Sequence, residues 1–380
     1  MARSIVSSNI LAVLFLPLIA IMRTDACIFY EQSCHISSKD SYQSYPDLSH
    51  TRGNGTVGPE TCLKVLTELD KNLANTVIDE RRRKEELESH YIEILSPIYK
   101  VIPSPGRGLG AFAITPIPRG TKIIIEEPLV SVELPKIVPG QGYRIVDMVN
   151  DLEFSFENLS VEEQEQYLDL HEHRFPSEQD QSKLLTIFRS NAYNTGNNRV
   201  GLFPRIARIN HSCKPNCGNY WSEQMGHRVI FAAVDIEEGE ELTVSYIPLL
   251  KPASERKSRL GQYGFTCDCI ACQSRESDHT RIKISKLFDS LENIPDVVTK
   301  KAAARTKTLV DLIEEEGLTD YLARAYRLAA SYNQRLGYWL EAKKWALLEL
   351  EMHQLAENDS HDAINTMDLI NSLDDSLSNS

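Results

Sequence analysis

The chain lacks an excess of positive charge: 41 Lys and Arg stand against 54 Asp and Glu, for a formal net charge of −13. A general nucleic-acid binder takes most of its affinity from cationic contacts to phosphates, so direct nucleic-acid binding is not expected and a basic partner suits the chain better. The one compact basic run, Arg81 to Lys84, is flanked by Glu80 and by Glu85 and Glu86, which fits a solvated helix face with opposite charges one turn apart. A bilayer-spanning segment is also missing. The apolar run from Ile10 to Met22 falls short of the roughly 20 residues a membrane helix needs, so no membrane span is expected. Cysteine is absent from Tyr143 to Phe188. The eight cysteines fall into two groups, Cys27, Cys34 and Cys62, then Cys213, Cys217, Cys267, Cys269 and Cys272.

What is present at the start has the character of a targeting segment. Arg3 precedes the apolar run, and Thr24-Asp25-Ala26 gives a small-residue cleavage context, so residues 1–26 are expected to be a signal peptide leading to the secretory route or the exterior. A buried core helix is the alternative. Asn54, Asn158 and Asn358 begin triplets that would accept sugar on that route, although such triplets are common by chance. Residues 27–59 are rich in Ser, Tyr, Asp and Gly without an apolar period, which predicts a flexible segment.

Residues 60–98 carry Leu63, Leu66, Leu69, Leu73 and Val77 at helical spacing and predict a long amphipathic helix. Residues 99–250 turn to short strands and Gly-rich turns, interrupted at about 143–188 by a Glu- and Gln-rich helical insert. Residues 251–273 contain Cys267, Cys269 and Cys272. Three thiols within six residues make strained disulfide partners for one another, so metal binding is the better reading, with disulfides the alternative for a secreted chain. Residues 274–372 are helical again, and Leu322 to Leu350 resembles one helical hairpin of the tetratricopeptide kind. A single hairpin cannot build a solenoid, so it is expected to pack on the rest or to hold a partner.

Four ordered segments carry the chemistry. The first runs from Gly106 to Phe112 with Pro118-Arg119-Gly120 behind it, a Gly-rich loop entering a strand and not a helix, which disfavours a dinucleotide site. Next come Arg208-Ile209-Asn210-His211-Ser212-Cys213-Lys214-Pro215-Asn216, then Gly239-Glu240-Glu241-Leu242-Thr243-Val244-Ser245-Tyr246, then Tyr263-Gly264-Phe265 before the cysteines. Taken alone, His211 fits a satisfied structural histidine and Tyr246 a packing residue at a strand end.

Together these segments, covering about Pro105 to Cys272, resemble the SET-domain protein-lysine methyltransferases, the SET-and-MYND branch in particular. The resemblance implies an α+β fold: a SET core of small curled sheets with knot-like threading, a helical insert and a helical carboxyl-terminal hairpin. It implies S-adenosylmethionine as cofactor, touched by Arg107, Gly108, Leu109, Asn191, Asn210, His211, Tyr246 and Phe265, with Tyr246 the catalytic tyrosine. Tyr193 and Tyr263 would wall a lysine channel with Tyr246. A structural zinc ion would be held by Cys213, Cys267, Cys269 and Cys272, since zinc favours four ligands and the fourth must come from afar.

There are two departures. No cysteine-rich MYND finger interrupts Val130 to Asn191, and Lys214 stands where many relatives carry an acidic residue. The expected partner is a basic, lysine-containing protein, histone or otherwise, met by a monomer. The alternatives are a catalytically inactive SET-fold binding module or secreted effector, and a disulfide protein. The family's usual compartments, nucleus and cytoplasm, conflict with the signal-like start. A carboxyl-terminal fluorescent fusion is expected to enter the secretory route with a mature amino terminus near Cys27. Nuclear fluorescence with an intact amino terminus is the opposing result.

Overall fold

In a computed structural model of the chain, the residues described are 97–378, apart from 136, 139–141, 144 and 296. The expectations for residues 1–26, 27–59 and 60–96 lie outside them, as do Cys27, Cys34 and Cys62. The Gly-rich loop forms the first hairpin. Strand β1 (Tyr99–Ser104) pairs antiparallel with β2 (Gly108–Ala113), Ser104 opposite Gly108. Gly106 and Gly108 turn the chain at φ +74° and +73°, a region that costs a side-chain-bearing residue but not glycine.

The β-branched stretch that follows divides between two sheets. β3 (Lys122–Glu126) joins β11 (His227–Ala232) and β10 (Cys217–Ser222) in the order β10-β11-β3. β4 (Val130–Glu133), β8 (Arg199–Leu202) and β7 (Ala192–Asn194) form a second antiparallel sheet, and β5 (Ile137–Val138) pairs with β6 (Gly142–Tyr143). The smallest pair matters most for the site: β9 (Asn210–His211) runs parallel to β12 (Thr243–Val244). Sheets this small expose edges and need covering elements.

The insert supplies one cover. Helix α1 (Ile145–Glu157) buries Ile145, Met148 and Leu152, spaced three and four apart, against Val130 and Val132 of β4 and Val200 and Leu202 of β8. Each such aliphatic side chain contributes about 1.5–3 kcal/mol on full burial. Helix α2 (Val161–Leu168) starts at a reciprocal cap in which Ser160 and Glu163 satisfy each other's backbone amides. Helix α3 (Lys183–Asn191), buried from Leu185 onward, passes directly into β7 and thereby delivers Asn191 and Tyr193.

The chain then forms α4 (Ala253–Leu260), α5 (Ile270–Gln273), and five further helices, α6 (Arg275–Leu291), α7 (Lys300–Glu316), α8 (Leu322–Arg335), α9 (Trp339–Ala356) and α10 (His361–Ser378). The predicted hairpin is α8 and α9, turned at Gly337 (φ +75°), and it is one part of a larger helical layer. Ten α-helices stand among the described residues. No described helix is long and apolar enough to cross a membrane.

This layer shares a core with the site. Ile284, Phe288, Leu309, Val310 and Ala329 belong to one buried cluster with Leu249, Leu260, Cys213, Cys267 and Cys272. Arg281 of α6, wholly buried, donates to the carbonyls of Leu249 (3.1 Å) and Cys213 (2.8 Å) and pairs with Glu316 of α7 at 3.0 Å. Removing it would leave a nearly buried carboxylate and two carbonyls without their donor. Arg281→Ala is expected to lose about 3–5 kcal/mol of stability in denaturant unfolding. A loss below about 1 kcal/mol, the level of an exposed pair, would contradict this account.

Candidate active site and cysteine cluster

Residues 239–242 lie between the Gly-rich hairpin and β9. Gly239 N donates to Ala113 O at 2.9 Å and Leu242 N to Ala111 O at 2.8 Å, while β12 continues alongside β9. Glu241 thus reaches two of the predicted site residues. Its carboxylate accepts from Arg107 Nη2 at 2.7 Å and from Asn210 Nδ2 at 2.8 Å, and Asn210 Nδ2 also donates to Leu109 O at 3.0 Å. The clasp leaves no room at Gly110, where a Cβ would stand 2.3 Å from Glu241 Oε1. Glu241 is a residue of the site that pattern reading had placed only within a motif, and its partner Arg107 is 134 positions away. Gly108, by contrast, has open space where a Cβ would be, and Arg107, Gly108 and Leu109 are exposed.

Tyr246 is fixed at both ends. Its amide donates to His211 Nδ1 at 3.0 Å, and its hydroxyl donates to Ile209 O at 2.5 Å. Burial, with the Tyr193 and Tyr263 hydroxyls nearby, holds its pKa well above 10, so the phenol stays protonated at neutral pH. Tyr263 lies 5.2 Å from it ring to ring and Phe265 6.4 Å. Gly264, at φ +84°, turns the chain between these two aromatics, and a Cβ there would overlap the His173 ring. The third predicted wall, Tyr193, is backed by Phe203 at 6.1 Å and by the Arg228 guanidinium 4.7 Å over its ring. Burial pushes the Tyr193 phenol up to about 12.

Two predicted cofactor residues have their side chains engaged within the protein. Asn191 Nδ2 donates to His171 O and Ile187 O, both at 2.7 Å. His211 is 2% exposed, and its ring nitrogens face Tyr246 N and Cys213 Sγ, so a ligand would meet its backbone and not its ring. Burial pushes its pKa down to about 3, which keeps the ring neutral. The insert loop is a further contributor that spacing did not reveal. His171 Nε2 lies 3.1 Å from Tyr263 O, and Asp169 pairs with Arg208 at 2.5 Å.

The four predicted metal ligands do come together. Sγ atoms of Cys213, Cys267, Cys269 and Cys272 all lie within 4.8 Å of one another. Four sulfurs about 2.3 Å from one zinc would stand about 3.8 Å apart, so the set fits a tetrahedral ion. Cys213 and Cys272, at 3.5 Å, are too far apart for a disulfide, which needs about 2.05 Å. All five described cysteines are free, and Cys217 turns instead to Asn216 Oδ1. Hydrogen bonding among the four thiols lowers those of Cys269 and Cys272 and raises those of Cys213 and Cys267, and Arg256 Nη2 adds a donor to Cys272 Sγ at 3.7 Å. A cation bound there would take the place of the thiol protons, since cysteine ligates as thiolate.

A model of the SET domain family matches residues 108–247. Histone-lysine N-methyltransferase set5 of Schizosaccharomyces pombe is 34% identical over 195 residues, which are 50% of this chain and 54% of that protein. Human histone-lysine N-methyltransferase SMYD3 is 45% identical over 80 residues (21% of this chain, 18% of SMYD3), and chicken N-lysine methyltransferase SMYD2 is 41% identical over 100 residues (26% and 22%). The matches therefore span about half of the first relative and about a fifth of the others.

Purified protein is expected to carry about one equivalent of metal by elemental analysis, and Cys213→Ser to carry less than half of that. Less than half an equivalent in the freshly purified parent, or free reduced thiols at all four positions in it, would overturn the assignment.

Proposed function

We propose that this chain, which belongs to the SET-domain family, is a protein-lysine N-methyltransferase that uses S-adenosylmethionine and holds zinc at its four-cysteine cluster. The observation that carries the reading is the buried Tyr246 phenol, its proton donated to the Ile209 carbonyl, with the Tyr263 ring 5.2 Å from its own. With that proton committed, the Tyr246 oxygen offers its remaining lone pairs to a cationic or polarised methyl group.

S-adenosylmethionine, when bound, supplies a methyl group activated by the adjacent sulfonium. The residues that would hold it are the exposed Arg107-Gly108-Leu109 loop, Asn191, Asn210, the His211 backbone and the Phe265 ring. The loop is open at Gly108, and the Arg107 guanidinium, paired to a carboxylate already, has the fork geometry for a carboxylate ligand. The four thiols suit zinc, which takes sulfur ligands in a closed tetrahedron. The zinc would have a structural part, tying Cys213 to the segment that carries Tyr263 and Phe265.

Methyl transfer to an amine is a direct displacement: the nitrogen–carbon bond forms as the carbon–sulfur bond breaks. Alignment and exclusion of water matter more than an acid or base. A lysine ammonium has a pKa near 10.4 in water, and an aromatic channel lowers it by desolvation, favouring the neutral nucleophile. Tyr193, Tyr246 and Tyr263 provide that apolar wall. The substrate class is a basic, lysine-containing protein, in keeping with the net charge of −13.

Incubation with methyl-labelled S-adenosylmethionine and lysine-rich protein is expected to label lysine. Tyr246→Phe should retain metal and fold while turnover falls roughly 100-fold, the scale for loss of one preorganised polar group. Parent protein that binds the cofactor but labels no lysine would sink the enzyme reading in favour of a binding module. A Tyr246→Phe variant as fast as the parent would remove Tyr246 from its role.

A further inference from the structure

His211 sits between two features that the proposed mechanism treats separately. The Tyr246 amide points its hydrogen at Nδ1 from 3.0 Å. A backbone amide only donates, so Nδ1 carries the lone pair and the single ring proton belongs to Nε2. Nε2 lies 3.3 Å from Cys213 Sγ, and the ring is 2% exposed, 5.4 Å from the Tyr246 ring and 6.2 Å from Phe265. One imidazole thus donates to a sulfur of the cysteine cluster and accepts from the residue bearing the phenol.

We propose that His211 is a positioning residue that transmits the placement of the four-cysteine centre to Tyr246. Sulfur held as a thiolate is a charged acceptor, and an N–H donated to it is stronger than a neutral bond. That bond fixes the ring plane and tautomer, as second-shell partners of metal ligands do. The fixed Nδ1 then anchors the Tyr246 backbone, while Ile209 O, two residues before His211, anchors the hydroxyl. Both anchors come from the segment that ends in Cys213, so a shift of that cysteine moves the phenol. The kinetic part of this inference rests on the methyltransferase reading; the structural part does not.

The two functions of the ring are separable by amide side chains. Asn places an oxygen near the position of Nδ1 and nothing at Nε2, whereas Gln places an N–H near Nε2 and no acceptor toward Tyr246. In the full chain, three quantities are read: metal loss to a chelator, hydrogen exchange at the Tyr246 amide, and kcat beside cofactor Kd. His211→Asn is expected to release metal at least roughly tenfold faster, the usual cost of losing a second-shell partner, with Tyr246 still protected. His211→Gln should keep the metal, expose the Tyr246 amide to exchange, and lower kcat at least about tenfold with cofactor Kd unchanged. Parent-like metal loss and exchange in both variants would overturn the proposal, as would both variants changing both quantities alike, the mark of a ring that only fills space. A parent that never methylates would count against the enzyme reading alone, since metal loss and exchange still decide the role of His211.

Discussion

Four sulfurs within 4.8 Å of one another fasten together the chain segments around which Tyr246, Tyr263 and Phe265 gather. They join a segment just after β9 to one between α4 and α6, two stretches that share no sheet. From Cys213 the constraint passes back through His211 and Ile209 to Tyr246, and from Cys267 it passes back through Phe265 and Gly264 to Tyr263. The aromatic rings meet because their backbones are fastened on either side of the thiol cluster. Small sheets alone, with two-residue strands such as β9 and β12, would hold such a geometry poorly.

Charge follows the same logic. Four thiolates around a divalent cation would leave a net negative charge in a largely buried place, which is costly without compensation. Arg256 and Arg281, both fully buried, stand at that place. Arg256 reaches Cys272 Sγ and the Ala271 carbonyl, and Arg281 reaches the Cys213 carbonyl. Elsewhere in the site Glu241 compensates Arg107 and holds Asn210, so an ion pair and hydrogen bonds tie the loop to β9.

Much of this was legible in the sequence where the physics is local. Three cysteines within six residues pointed to a metal because thiols so spaced bridge badly, and a Glu- and Gln-rich composition marked the insert at about 143–188 as helical. Short strands were legible from β-branched runs and Gly-rich turns, but their SET arrangement and the roles of Tyr246, Tyr263 and Phe265 came from resemblance, since nothing in a lone tyrosine at a strand end distinguishes chemistry from packing. The long-range partners were not legible. The Arg107–Glu241 pair, the reach of Arg281 and the contact of His171 with Tyr263 depend on tertiary placement that a one-dimensional pattern does not encode. The same holds for His211 and Asn191, whose residue types suit ligand contact and whose side chains the fold has already engaged. The carboxyl-terminal region was read as helical through residue 372, but only one hairpin was singled out within it: α10 is so rich in Asp, Ser and Asn that its buried Ala363, Thr366, Ile370 and Leu373 form a thin stripe.

The buried grip of Arg281 on the Cys213 carbonyl, 68 residues earlier in the chain, has a consequence for how the molecule comes into being. Synthesis runs from the amino terminus, so the Asn-His-Ser-Cys segment leaves the ribosome well before the guanidinium that completes its surroundings. A nascent chain that has just displayed Tyr246 possesses the whole matched SET region yet has neither its sulfur partners nor its arginine. The centre is therefore a late product of biogenesis, assembled when α6 and α7 arrive, and a polypeptide interrupted between Tyr246 and Arg281 would carry the recognisable motifs as an open, unfinished pocket.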